Sequence, residues 1–178
     1  TGFYPSTTKV MGNIGAAGGN SLSLATVGKE LQDAGYTTGY FGKWHLGRKA
    51  VATAGWDHYH FSRNDHRSES DALDFLKTKL NKKKPFALFV SINNPHDIYH
   101  FDKHKSERED VPLPSSWENE TLEHKPPIQK QFMIEDQGKV IYGDPRKEWE
   151  KYRDCYRAKT KLCDNHVGVI LEELKRQG

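Results

Sequence analysis

Pro85 to His96 reads PFALFVSINNPH, and the fold turns on it. From Phe86 to Ile92 (FALFVSI) the chain is apolar almost without a break, and a run this short that is rich in β-formers and closed by Asn-Asn-Pro reads as a strand. Continuous hydrophobicity marks a strand covered on both faces, as parallel sheets require when crossover helices lie on both sides. Upstream, Ser68 with Asp71 makes a capping-box-like start, Leu73, Leu76 and Leu80 form an apolar stripe, and Lys82-Lys83-Lys84-Pro85 breaks it. A helix feeding a strand therefore occupies 68–96.

The same order occurs earlier in the chain. With Ser21 or Ser23 as N-cap, Leu24, Val27, Leu31 and Ala34 recur at helical spacing, and Gly35 stands where a helix would end. Tyr36 to Phe41 (YTTGYF) is then a strand, with Lys43, Trp44 and His45 just past its carboxyl end. Two helix-strand units, 21–47 and 68–96, predict an α/β sandwich with a mostly parallel central sheet and right-handed crossovers. Ligands of such sheets bind beyond the carboxyl ends of the strands, so Lys43, His45 and His96 are expected to share one edge. Gly12 to Asn20 (GNIGAAGGN) lacks the spacing of a phosphate-binding loop and reads as flexible surface.

From 101 to 147 the chain is polar, carries Pro112, Pro114, Pro126, Pro127 and Pro145, and shows no sustained period. It reads as an irregular excursion with at most short elements, and a loop of that length marks function or a missing partner. A long helix over 148–176 comes next, with Trp149, Tyr152, Tyr156, Cys163, Val167, Ile170 and Leu174 on one face and Lys159 interrupting the stripe.

Composition bounds the function. The 178 residues are 35% hydrophobic and 29% charged, a thin core for one domain and a sign of dependence on neighbours. Aromatic content of 11% excludes a disordered chain. Net charge is +3 with cations and anions interspersed, which argues against nucleic acid as a partner. No apolar stretch approaches the ~18 residues that span a bilayer. Cys155 and Cys163 fall in one helix, roughly 12 Å apart at ~1.5 Å rise per residue, beyond disulfide reach. Asn119-Glu120-Thr121 fits the N-glycosylation pattern, which is common by chance.

Gly39-Tyr40-Phe41-Gly42-Lys43-Trp44-His45-Leu46-Gly47 resembles the second signature of the sulfatase family, formylglycine-dependent hydrolases of the alkaline-phosphatase-like superfamily. The flanks are similar too. Ser23 to Thr38 resembles the helix leading into that signature, Thr1-Gly2-Phe3-Tyr4-Pro5 the stretch just after the nucleophile motif, and Pro85 to His96 the strand ending in Pro-His. Tyr156 to Leu174, with Asp164, Val167-Gly168 and Ile170-Leu171, resembles the helix before the family's later metal-binding segment. The family's early Asp pair and its C/S-x-P-x-R nucleophile motif do not occur in these residues. The resemblance therefore implies that 1–178 is an internal part of an N-terminal catalytic domain, inactive without the remainder of that domain.

Cleaving a sulfate ester requires cations around anionic oxygens, a proton for the leaving group and a strong nucleophile. By resemblance, Lys43 contacts the sulfate and the formylglycine hydrate, while His45 hydrogen-bonds that hydrate and serves as the base that collapses the sulfated intermediate. His96 binds substrate beside Lys43 and donates the leaving-group proton, a task suited to a side chain that titrates near neutrality. The resemblance also implies a divalent cation, usually calcium, with no ligand assigned in this chain. The expected partner is a sulfated small molecule or carbohydrate, with neither nucleic acid nor membrane, and the family's compartments are secreted, periplasmic or lysosomal.

Other readings stay open. The Lys-Trp-His signature also serves phosphonate and phosphate ester hydrolases of the same superfamily. Lys43-Trp44-His45 can also be read as a plain loop with a packed Trp, and His96 as a strand cap. His96, His100 and His104 stand four apart, as ligands on one helix face would, and His58, His60 and His66 cluster in sequence, so a non-catalytic His-rich metal-binding module is the rival from another class.

Overall fold

The computed structural model describes residues 4–8, 25–46, 54–81, 83–103, 105, 107, 111–119, 121–135 and 144–178. In chain order its elements are α1 (Pro5–Thr8), α2 (Val27–Asp33), β1 (Thr37–Gly42), β2 (His58–Phe61), α3 (Asp65–Asp74) running into a π turn (Phe75–Lys79), and β3 (Phe86–Ser91). A 3-10 helix (His96–Lys103), α4 (Ser116–Asn119), α5 (Pro127–Glu135) and α6 (Pro145–Gln177) complete them. The chain divides into two units, Thr1–Asn93 with Asn165–Gly178, and Asn94–Asp164.

The first unit is α/β with a parallel sheet in the order β2-β1-β3, the architecture read from the two apolar runs. Thr37 pairs with Phe86 and Gly42 with Ser91, while Gly39 to Gly42 pair with His58 to Phe61. β2 is an addition to the expected pair of strands, because four residues reading His-Tyr-His-Phe carry no resolvable period. Side-chain bonds bring it in. The Asp57 carboxylate accepts the Thr38 N–H at 2.9 Å, and the Thr38 hydroxyl donates to the Gly55 carbonyl at 2.8 Å while accepting the Asp57 N–H at 3.0 Å. Together they lay the chain before β2 along β1.

Helix starts obey capping chemistry, at positions that differ from those expected. Thr26 caps α2, its hydroxyl accepting from the Lys29 N–H at 3.1 Å and donating to the Ala54 carbonyl at 2.7 Å. Ser21, Ser23 and Leu24 lie outside the described residues, as does the Gly12–Asn20 loop. Gly35, at φ +89, ends the helix as read. For α3 the cap is Asn64, which accepts the Arg67 N–H at 3.1 Å from an extended backbone. Ser68, the expected cap, lies buried inside the helix and donates to the Asn64 carbonyl at 3.1 Å. Asn64 wins because its carbonyl and amide-oxygen acceptors both face the first turn.

The core of this unit is Phe41, Ala72, Phe75 and Leu76, with Leu80, Phe86, Leu88, Val90 and Ile170 packed around it. Against the expectation of cover on both faces, β3 is half-buried along its length and Phe89 remains 38% exposed. Among the described residues β3 is an outer strand of the sheet. Leu88, Val90 and Ile92 line a groove of about 310 Å³ with Val167, Ile170, Leu171 and Leu174, and Phe89 meets Trp56 at 5.1 Å on the other face.

In the second unit, Ile98, Phe101 and Cys155 form a small buried cluster with Tyr152 against it. The 101–147 stretch holds the end of the 3-10 helix, α4 and α5, none of them longer than nine residues among those described. α6 begins earlier than expected and buries different positions. Asp154, Cys155, His166 and Glu173 are buried, whereas Tyr156, Val167 and Leu174 of the apolar stripe are exposed. Polar side chains with partners outcompete the stripe: Asp154 accepts the Glu107 N–H at 2.8 Å, and His166 bonds Glu69. Lys159 interrupts the stripe because its ammonium reaches the Asn94 side chain at 3.4 Å. Cys155 and Cys163 are both free thiols, as their helical spacing requires. Among the described residues no helix is long and apolar enough to cross a membrane.

Candidate active site

β1 leaves the sheet at Gly42, whose φ of +111 suits glycine and where a Cβ would collide with the Ser91 carbonyl. Three hydrogen bonds then fix the main chain around Lys43. Its N–H donates to the Ser91 carbonyl at 2.9 Å, the Tyr40 hydroxyl donates to its carbonyl at 2.6 Å, and the Ser62 N–H donates to the Gly42 carbonyl at 3.0 Å. β1 and β3 thus hold Lys43 itself, while Ser62, just past β2, holds the residue before it.

Trp44 is packed, as the plain-loop reading held. Its ring meets Tyr40 edge-on at 5.1 Å and stacks on Phe61 at 5.0 Å, and Tyr40 in turn meets Trp56 at 5.3 Å. Lys43 is half-buried and His45 exposed on either side of this wedge. Among the described residues neither has an ion-pair partner. A half-buried lysine with no carboxylate partner among the described residues, its main chain fixed at a strand end, can seat an anion, and an adjacent imidazole can exchange protons with such a ligand. Gly47, which closes the signature, lies outside the described residues.

The chain after β3 is held by a carboxylate. Asn93 is buried, and its N–H donates at 2.6 Å to Asp65, the buried first residue of α3. Sequence reasoning misses Asp65 and Tyr40 as positioning groups. The signal for Tyr40 lies inside the signature, and for Asp65 only the preceding cap Asn64 points there.

His96 falls in the second unit, after a cis Asn94–Pro95 bond and at the start of the 3-10 helix, whose first turn closes through the Ile98 N–H on the Pro95 carbonyl at 3.0 Å. Its side chain is 59% exposed, with Nδ1 3.9 Å from Asp97 and the ring edge-on to Tyr99 at 6.1 Å. The 3-10 geometry kinks at His100 (φ −108, ψ 26), so four-residue spacing there does not make one helical face, and His104 lies outside the described residues. His58, His60 and His66 diverge: His58 lies on Phe75, His60 Nδ1 is 2.5 Å from Asp71, and His66 meets His166.

A match to the sulfatase family spans residues 1–178. Comparison with curated proteins returned no match. Among solved structures, a 2-O GAG sulfatase aligns with a TM-score of 0.68 at 20% identity, covering 97% of this chain and 42% of that one. A second structure, of a protein in complex with its substrate D-glucosamine-2-N,6-O-disulfate, aligns with a TM-score of 0.58 at 17% identity, covering 100% of this chain and 51% of that one. Identities this low carry the fold alone, and the chain spans only part of either relative.

Proposed function

Because the chain belongs to the sulfatase family, we propose that it supplies the anion-binding and proton-transfer side of a site that hydrolyses sulfate esters, as an internal part of a larger catalytic domain. The observation that carries this reading is Lys43, an ammonium without a carboxylate partner among the described residues and with both its peptide groups tied to the sheet. In this role Lys43 binds the sulfate oxygens. His45 takes and returns protons beside it, and His96 protonates the leaving oxygen as the S–O bond breaks. A sulfated carbohydrate is the favoured substrate class, since one structural relative is a 2-O GAG sulfatase and the other was solved with a sulfated glucosamine.

Sulfatases use formylglycine and a divalent cation, and the described residues do not fit that cation. A calcium ion takes about six to eight oxygen ligands. The carboxyl edge of β1 offers Lys43 and His45, and the nearby carboxylate of Asp65 is taken by the Asn93 N–H. Among the described residues, the proposed steps fall to Lys43 and His45 after β1 and to His96 at the start of the 3-10 helix.

Kinetics of the full-length protein test the roles. Lys43→Ala and His45→Ala should each lower kcat/KM for a sulfate ester by roughly 100-fold or more with the unfolding midpoint unchanged, and near-normal turnover would remove them from the mechanism. His96→Ala should hurt an alkyl or sugar sulfate far more than a nitrophenyl sulfate, whose leaving group needs no proton. Equal losses would strip His96 of the acid role. A large preference for aryl phosphonate over aryl sulfate would move the enzyme to the phosphorus-cleaving branch of the superfamily.

A further inference from the structure

α3 carries His66 and Glu69 three residues apart, a spacing that puts both on one helical face. α6 brings His166 to these two side chains. His166 Nδ1 lies 2.7 Å from Glu69 Oε2, the His66 and His166 rings stand edge-to-face with centroids 4.7 Å apart, and a ligand atom from each of the three residues falls within 4.8 Å of the others. The His166 and Glu69 side chains are 7% and 19% exposed, while His66 is exposed and gives access from solvent.

We propose that His66, Glu69 and His166 form a binding site for a transition-metal dication of the zinc class. Two imidazole nitrogens and one carboxylate oxygen are the donor set such ions select, whereas calcium and magnesium prefer all-oxygen cages. Little movement is required. Two metal–ligand bonds of about 2.0–2.1 Å at a tetrahedral angle set donor atoms roughly 3.3 Å apart, so Glu69 and His166 need only open slightly from hydrogen-bond distance while His66 swings in. On binding, the metal takes the place of the proton shared by Nδ1 and Oε2, which leaves to solvent, while the Nε2 proton of His166 stays where it is, and no redox partner is involved. Three protein ligands leave a fourth position for water or a small anion, reached from the His66 side. The site also ties α6 to α3, so metal binding stabilises the packing of the first unit. None of this rests on the proposed sulfatase activity.

The test uses the full chain without an affinity tag, stripped with a chelator and titrated with zinc(II) at neutral pH against a chromophoric indicator, and separately with cobalt(II). Expected are a single equivalent of zinc at sub-micromolar affinity, intense four-coordinate cobalt absorption, and a higher melting midpoint with zinc. His66→Ala, at an exposed position that folding does not need, should weaken binding by roughly 100-fold, as loss of a ligand must cost at least what loss of an outer-shell partner does. Glu69→Gln keeps a hydrogen bond to His166 and should also lose affinity, while His100→Ala should bind as the parent does. No stoichiometric zinc, or equal affinity in the parent, His66→Ala and Glu69→Gln, would reduce the cluster to a hydrogen-bonded clasp and overturn the proposal.

Discussion

After β1, Lys43 is held through its main chain by Ser91 and Tyr40, with Trp44 wedged among aromatic rings as the next residue. After β3, Asn93 is held by Asp65, but His96 opens a 3-10 helix, and its half-open side chain has Asp97 at 3.9 Å as its ion-pair neighbour. The difference separates two ways of positioning a reactive group. Backbone bonds fix where a side chain starts whatever that side chain is, so substitutions at Lys43 remove charge and leave the loop intact. Side-chain placement by neighbours on a short helix is softer, and substitutions near His96 change geometry along with chemistry.

Phe75→Ala should break the comparison by loosening both strand ends at once. Phe75 is fully buried, meets Phe41 of β1 at 5.8 Å, His58 of β2 at 5.7 Å and Phe86 of β3 at 6.2 Å, and so lies under the whole sheet. Truncation should cost about 3–5 kcal/mol in urea unfolding, and a loss below about 1 kcal/mol would mean the sheet does not rest on this ring. Gly42→Ala strikes nearer the β1 end. It combines φ of +111 with a collision on the Ser91 carbonyl, for an expected loss of about 1–3 kcal/mol by the same measurement. Activity should fall further than stability predicts, because the Lys43 N–H bond to Ser91 is the next one along. Tyr40→Phe sharpens the contrast further, since the ring contacts survive and only the bond to the Lys43 carbonyl goes. About 1 kcal/mol of stability should be lost, and a sulfate-ester assay should show kcat reduced more than KM is raised.

The legible parts of this molecule are those where hydrophobic periodicity runs long enough to outvote local chemistry. Phe86 to Ile92 and Tyr36 to Phe41 announce parallel strands, and α6 announces a helix. β2 is silent because its pairing comes from the Thr38–Asp57 bonds and from Phe61 under Trp44, contacts that no single window of sequence contains. A rival acceptor four residues upstream of Ser68 moves the α3 start, and the buried face of α6 departs from its apolar stripe because His166 and Asp154 find partners distant in sequence. The same blindness hides the His66–Glu69–His166 cluster. In sequence His66 stands beside His58 and His60, but in space it belongs with a residue a hundred positions away.

The smallest expected effect lies at the amino half of β1, where a carboxylate anchors the strand as Asp65 anchors the end of β3. Burial alone would raise the Asp57 pKa, but the Thr38 N–H, the Gln32 amide, the Thr38 hydroxyl and His58 together outweigh it and hold the group below its ordinary value. A carboxylate whose folded pKa is depressed binds its proton more weakly in the native state than in the unfolded chain. Its contribution is therefore fully present above the unfolded pKa of about 3.9 and is lost as pH falls through the lower folded value. Urea midpoints measured at successive pH values below about 4 should fall more steeply for the parent than for Asp57→Asn, which keeps the shape and cannot titrate. The gap should be modest because Asp57 is solvent-exposed and water screens its interactions. Superimposable profiles would show that the neutral acid holds β1 to the chain before β2 as well as the carboxylate does.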